Sequence, residues 1–171
     1  KNIMKNVSKI TYKKFVDNRG YFFELYNKKK ISKNFKQVNI NYSKKNVIRG
    51  LHYQLKKPQE KFVTVLKGKI LDVCVDLRNN SKTFGQYKFF KLEEDKNCSI
   101  HVPIGFAHGF MSLSNNTIVC YLTSDFYDPG SEKTLLWNDP TIKINWPRSE
   151  KKIISKKDKE GFFFDLKKKY F

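Results

Sequence analysis

Residues 70–77 alternate without a break: Leu71, Val73, Val75 and Leu77 fall on one side of an extended backbone, Asp72, Cys74 and Asp76 on the other. Successive strand side chains point to opposite faces, so this stretch requires a sheet that is apolar on one face and shelters two carboxylates on the other. Short runs of similar format recur at 37–43, 47–54, 62–66, 86–92, 98–102, 108–113 and 117–123, separated by turn signals. Upstream, 9–15 alternates weakly, Asp17-Asn18-Arg19-Gly20 reads as a turn, 21–26 as an aromatic strand and 28–36 as a loop or one helical turn. Residues 155–160, charged and near the end, read as one or two helical turns. The expected fold is all-β, a jelly-roll barrel with short peripheral helical segments, built as one domain over residues 1–171. The stretch after Trp146-Pro147 is expected to pack on the outside of the barrel.

The run Val47-Ile48-Arg49-Gly50-Leu51-His52-Tyr53-Gln54 is apolar enough to be buried, yet carries an arginine, a glycine and one of three histidines. Plain alternation puts Ile48, His52 and Gln54 on one face and Leu51 and Tyr53 on the other. A glycine inside a strand marks a bulge or a close backbone approach. A bulge at Gly50 would let Arg49 and His52 serve one cavity.

The formal charge of +19 suggests an anionic partner, but its make-up narrows the choice. Of the 35 basic residues only Arg19, Arg49, Arg78 and Arg148 are arginines, and the lysines spread along the whole chain. Base reading favours arginine, so no nucleic-acid partner is expected. A positive field would still steer a nucleotide-bearing substrate inward. Cys74, Cys98 and Cys120 are odd in number and contain no CxxC pair, as buried thiols of a reducing compartment would be. With no signal peptide and no apolar run of membrane length, the expectation is a cytoplasmic protein without a membrane partner.

Pro103-Ile104-Gly105-Phe106-Ala107-His108 has the PxGxxH form of the second cupin motif. The HxH and glutamate of the first are missing, since Gln54 follows His52 two positions on. Too few ligands remain for a metal site, and neither metal nor organic cofactor is expected.

The blocks Arg49-Gly50-Leu51-His52-Tyr53-Gln54, Gln59-x-Lys61, Asp72-x-x-x-Asp76-Leu77-Arg78, Thr83-Phe84-Gly85, Pro103-x-Gly105-Phe106-Ala107-His108-Gly109-Phe110 and Leu136-Trp137-Asn138-Asp139 stand in order. So do Asp17-x-Arg19-Gly20-x-Phe22-x-Glu24, Gln37-x-Asn39 and Ser155-x-Lys157-Asp158. Together they resemble the dTDP-4-dehydrorhamnose 3,5-epimerase family over nearly the whole chain. The resemblance implies a metal-free cupin barrel that epimerises a dTDP- or GDP-linked 4-keto sugar, deoxyhexose or heptose, for surface polysaccharide synthesis. It also implies a homodimer with exchanged N-terminal strands.

Inverting a carbon beside a ketone needs a base, a partner for the enolate oxygen and an acid on the other face. The resemblance assigns the base to His52, oriented by Asp158, and the acid to Tyr121. Lys61 would stabilise the enolate, with Asp72 keeping it charged and aimed. Arg49 and Tyr127 match diphosphate contacts and His108 a wall of the sugar pocket. Gln37 and Asn39 match further substrate contacts, and Arg19, Phe22 and Glu24 a segment that holds the base from a neighbouring subunit. Each has a plainer reading, Ser155-x-x-Asp158 as a helix capping box among them. Asn41 stands where the family usually has serine, Asn46 where glycine is common, and no proline follows Asp158. Two rivals are a 4-keto to 3-keto sugar-nucleotide isomerase and a non-catalytic sugar-nucleotide or polyanion binding module.

Overall fold

The computed structural model describes residues 7–31 and 33–171. Two sheets face each other. One has the spatial order β1 (Ser8–Thr11), β9 (Cys98–Val102), β6 (Lys61–Lys67), β11 (Thr117–Thr123), β4 (Gln37–Ser43). The other runs β12 (Glu132–Thr134), β5 (Val47–Gln54), β10 (Phe106–Ser112), β7 (Lys69–Asp76), β8 (Tyr87–Glu93), with β13 (Ile153–Ile154) added parallel to β5. A separate hairpin joins β2 (Lys14–Asp17) to β3 (Gly20–Phe23), and α1 (Lys156–Lys159) is a single helical turn. This is the all-β jelly-roll barrel that the alternation predicts; two short strands, β12 and β13, escaped the pattern.

The core has layers on both sides of the sheets. Between them, Val63, Cys74, Ile100, Phe106, Phe110 and Val119 fill the barrel interior. Outside the six-stranded sheet, Val73, Val75 and Leu77 pack with Leu51, Tyr53 and a tail layer of Ile142, Trp146, Phe164 and Tyr170. The apolar face of residues 70–77 therefore looks outward, and the face bearing Asp72 and Cys74 looks into the barrel. At roughly 1.5–3 kcal/mol per large apolar side chain buried, this tail layer contributes as a core does. Leu25, Tyr26, Ile31 and Phe35 cover Phe62, Cys120 and Leu122 outside the five-stranded sheet. All three cysteines are buried and free.

The face assignment for Ile48 is corrected by the bulge. His108 pairs with His52 and Phe110 with Arg49, so two steps along β10 match three along β5. The extra residue lies at Gly50, whose φ of 111° suits glycine. A Cβ there would stand 2.7 Å from the Gly109 Cα and the His108 carbonyl oxygen, an approach only glycine permits. Beyond the bulge the phase of alternation changes. Ile48 joins Leu51 and Tyr53 in the outer layer, while Arg49 and His52 both face the cavity. Gln54, expected beside His52, is instead bonded to Lys57, Phe126 and Asp128 in the loop above.

Candidate active site

A cavity of about 700 Å³ opens at one end of the barrel, and both sheets contribute to its wall. From the six-stranded sheet come Arg49, His52, His108 and Glu132; from the other come Gln37, Asn39, Asn41, Lys61 and Tyr121. The tail closes the ring with Lys157 and Asp158.

The tail reaches His52 by strand pairing. Ile153 and Ile154 lie beside Val47 and Ile48, and Ile153 N–H donates to the Asn46 carbonyl at 2.9 Å. Ser155 then caps α1, its Oγ accepting from Asp158 N–H at 3.1 Å. The cap uses the backbone of Asp158 and leaves its carboxylate free. Oδ1 accepts from His52 Nε2 at 2.6 Å and Oδ2 from Gly50 N–H at 3.2 Å. The capping and catalytic readings of this aspartate are therefore compatible. Burial pushes the Asp158 carboxyl upward, but the bonds from His52, Gly50 and Ser155 outweigh it and hold the group below the ordinary aspartate range. His52 Nδ1 points to the other side, 3.9 Å from Glu132 Oε1.

Lys61 Nζ donates to the His52 carbonyl at 3.4 Å. Burial lowers its pKa; Glu132 and, more weakly, Asp72 counter that loss, and Lys157 reinforces it. Asp72 thus supports the Lys61 charge as expected, but weakly and without an ion pair, and its hydrogen bond goes to another partner. Asp72 is fully buried, accepts from His108 Nε2 at 2.8 Å and does not line the cavity. It sits behind His108, which does. Tyr121 is half-buried and its phenol pKa is raised, by burial first and Glu132 next, against the opposing effects of Asn41, Arg49 and Lys157. A phenol so placed keeps its proton at neutral pH and can donate it.

Arg49 is held by Ser43 Oγ at 3.1 Å and the Tyr42 carbonyl at 3.0 Å. Gln37 Nε2 donates to Asn39 Oδ1 at 2.8 Å, and Gln37 Oε1 accepts from Tyr127 N–H at 3.0 Å. Arg19, Phe22 and Glu24 are not brought to this chain's own cavity: Phe22 is exposed on the β2–β3 hairpin, Arg19 pairs with Asp17 and Glu24 with Lys30. Among the described residues no group of three His, Cys, Asp or Glu side chains could hold a metal ion.

The family model for dTDP-4-dehydrorhamnose 3,5-epimerase matches residues 1–165. The chain belongs to that family. The dTDP-4-dehydrorhamnose 3,5-epimerase of Pseudomonas aeruginosa is 41% identical over 156 residues, 88% of this chain and 86% of that one. The dTDP-6-deoxy-D-glucose-3,5-epimerase of Legionella pneumophila, solved with dTDP-4-keto-L-rhamnose, superposes with a TM-score of 0.91 at 37% identity, over 95% of this chain and 89% of that one. A 3'-monoepimerase from Streptomyces bikiniensis, solved with dTDP-quinovose, is 27% identical with a TM-score of 0.86, over 92% of this chain and 83% of that one.

As a nucleotide-sugar 3,5-epimerase, the chain departs from its family's common pattern at one position whose reason is visible. Asn46 has φ +67°, the left-handed region in which asparagine is the commonest substitute for glycine. Like Lys157, Glu132 is a charged cavity residue to which sequence reasoning gave no role. It lies on a three-residue strand, too short for alternation to register, and follows the turn-like Asp128-Pro129-Gly130-Ser131. No helix among the described residues is long and apolar enough to cross a membrane.

Proposed function

We propose that this enzyme inverts carbons 3 and 5 of a dTDP-linked 4-keto-6-deoxyhexose, with His52 as base and Tyr121 as acid. The observation that carries the reading is their placement on different sheets around one cavity, with Lys61 beside the His52 carbonyl. His52 takes the proton from the carbon next to the ketone, and its Asp158 partner stabilises the imidazolium. The C4 oxygen becomes an enolate beside the Lys61 ammonium. Tyr121 returns a proton to the opposite face, and solvent resets both groups before the second carbon reacts. Arg49 and Tyr127 hold the diphosphate, His108 walls the sugar, and Gln37 and Asn39 contact its remaining polar groups. Thymidine is preferred to guanosine because the ligands solved with the Legionella and Streptomyces relatives are dTDP sugars.

The working unit is a homodimer. Phe15, Val16, Tyr21 and Phe22 on the β2–β3 hairpin and Val38, Ile40 and Tyr42 on the sheet-edge strand β4 are all exposed in the single chain. Covering them with a second copy would carry Arg19, Phe22 and Glu24 to the neighbour's cavity. Mixing an Arg19→Ala protomer with a His52→Asn protomer tests the exchange: heterodimers regain one complete site. Mixtures no more active than their components would rule the exchange out.

The reaction itself is read by proton NMR in deuterated water with dTDP- and GDP-linked 4-keto sugars. Solvent deuterium should enter carbons 3 and 5 of the dTDP sugar with the ketone retained at carbon 4. A ketone moved to carbon 3 would identify an isomerase instead. Binding without exchange, weakened steeply by salt, would identify a binding module.

A further inference from the structure

We propose that Glu132 is the positioning carboxylate of this cavity: held by Lys157 and Tyr127, it faces His52 from the side opposite Asp158 and lines the same wall as Lys61. The inference rests on the epimerase reading and assigns to Glu132 the larger share of the task that the family resemblance implies for Asp72.

Strand pairing brings Glu132 there. On β12, Glu132 pairs with Gln54 and Thr134 with His52, so Glu132 is a diagonal neighbour of the base. Its Oε2 accepts from Tyr127 Oη at 3.1 Å and pairs with Lys157 Nζ. Its Oε1 is the oxygen 3.9 Å from His52 Nδ1, the nitrogen that Asp158 leaves open. That distance is long for a hydrogen bond while Nδ1 holds a lone pair, and short enough for a charge pair once Nδ1 has taken a proton. His52 would then be stabilised from both sides when it carries charge.

Lys61 makes the second half of the case. The titratable or charged groups that share its cavity or act on it are Glu132 on β12, Asp72 and Cys74 on β7, Arg49 and His52 on β5, His108 on β10, Tyr121 on β11, Tyr127 in the loop after it, and Lys157 and Asp158 on α1. Burial keeps Cys74 a thiol, so it brings no charge at neutral pH. Asp72 is committed to His108. Glu132 is the carboxylate that opposes the desolvation of Lys61 most strongly. It also raises the Tyr121 phenol, so one carboxylate favours the protonated form of both groups that must carry a proton.

The test compares wild type, Glu132→Gln, Glu132→Asp and Asp72→Asn by kcat and KM against pH with a dTDP-linked 4-keto-6-deoxyhexose. A second readout follows the Lys61 amine through its 13Cε resonance, assigned by difference with Lys61→Met. Near neutral pH, Glu132→Gln should lower kcat roughly tenfold, less than the hundredfold or more of deleting a direct oxyanion donor. KM should change by less than about threefold. The high-pH limb of kcat and the Lys61 titration should both move to lower pH, because loss of the carboxylate lowers the amine's pKa further. Glu132→Asp should recover part of each change, and Asp72→Asn should move the Lys61 titration less. An unmoved Lys61 titration in both Glu132 variants, a larger shift in Asp72→Asn, or an effect on KM alone would overturn the proposal. If wild type turns over no sugar, the epimerase reading fails, and the Lys61 titration still decides the role of Glu132.

Discussion

Two histidines face the same cavity from neighbouring strands, each bonded to an aspartate, and the two pairs differ in everything around that hydrogen bond. His108 and Asp72 sit on adjacent strands of one sheet, with side chains 8% and 0% exposed. His52 is 27% exposed, and its Asp158 arrives from a tail 106 residues downstream. The first pair is part of the wall, locked by sheet register. The second has an open nitrogen toward the cavity and a partner held by one capped helical turn and a two-residue strand. A histidine–aspartate pair alone thus does not mark a base; the greater exposure of the His52 ring to the substrate space does.

The largest effect should come from removing the bulge that gives the two pairs their relative placement. Gly50→Ala forces a Cβ into the Gly109 and His108 backbone at a left-handed φ. It should cost at least about 3 kcal/mol, read by denaturant unfolding, and abolish activity. Wild-type stability would show that the strands can separate without loss.

His52→Asn should lower kcat by about 10³-fold or more with the fold intact, within the range for a general base. Asp158→Asn should lower it by about a hundredfold, since His52 loses its charge partner while the Ser155 cap on the backbone survives. Equal losses in Asp158→Asn and Asp72→Asn would erase the distinction between the pairs. For Asp72→Asn the expectation is a stability cost of about 1–3 kcal/mol from a buried polar mismatch, with kcat reduced no more than about tenfold.

Acid response should supply the smallest effect. Asp158 is held below the ordinary aspartate range, so its contribution is present above the unfolded-state value near pH 4 and is lost as pH falls through the lowered value. The Tm gap between wild type and Asp158→Asn should therefore narrow below about pH 4. A gap that widens on acidification would contradict the lowered value.

Residue pattern made some of these features legible. Strands β4, β5, β9 and β11 coincide with the alternating runs at 37–43, 47–54, 98–102 and 117–123, and Gly50 announced its bulge. Ile48 was misplaced because one inserted residue changes the phase of a two-residue period. Glu132 was invisible because a three-residue strand carries too little alternation to be recognised.

Local residue order settled the set of short two-faced strands, the turns between them and the residue types needed for proton transfer beside a ketone. Alternation and glycine placement are local, so they can be read from neighbours along the chain. Which carboxylate serves which base or cation was decided only by tertiary structure. Asp72 went to His108, Asp158 to His52 and Glu132 to the cavity wall that Lys61 also lines, through pairings between strands distant in sequence. Charge partnership depends on distances of a few ångströms across the barrel, and such distances are set by sheet order, register and the bulge.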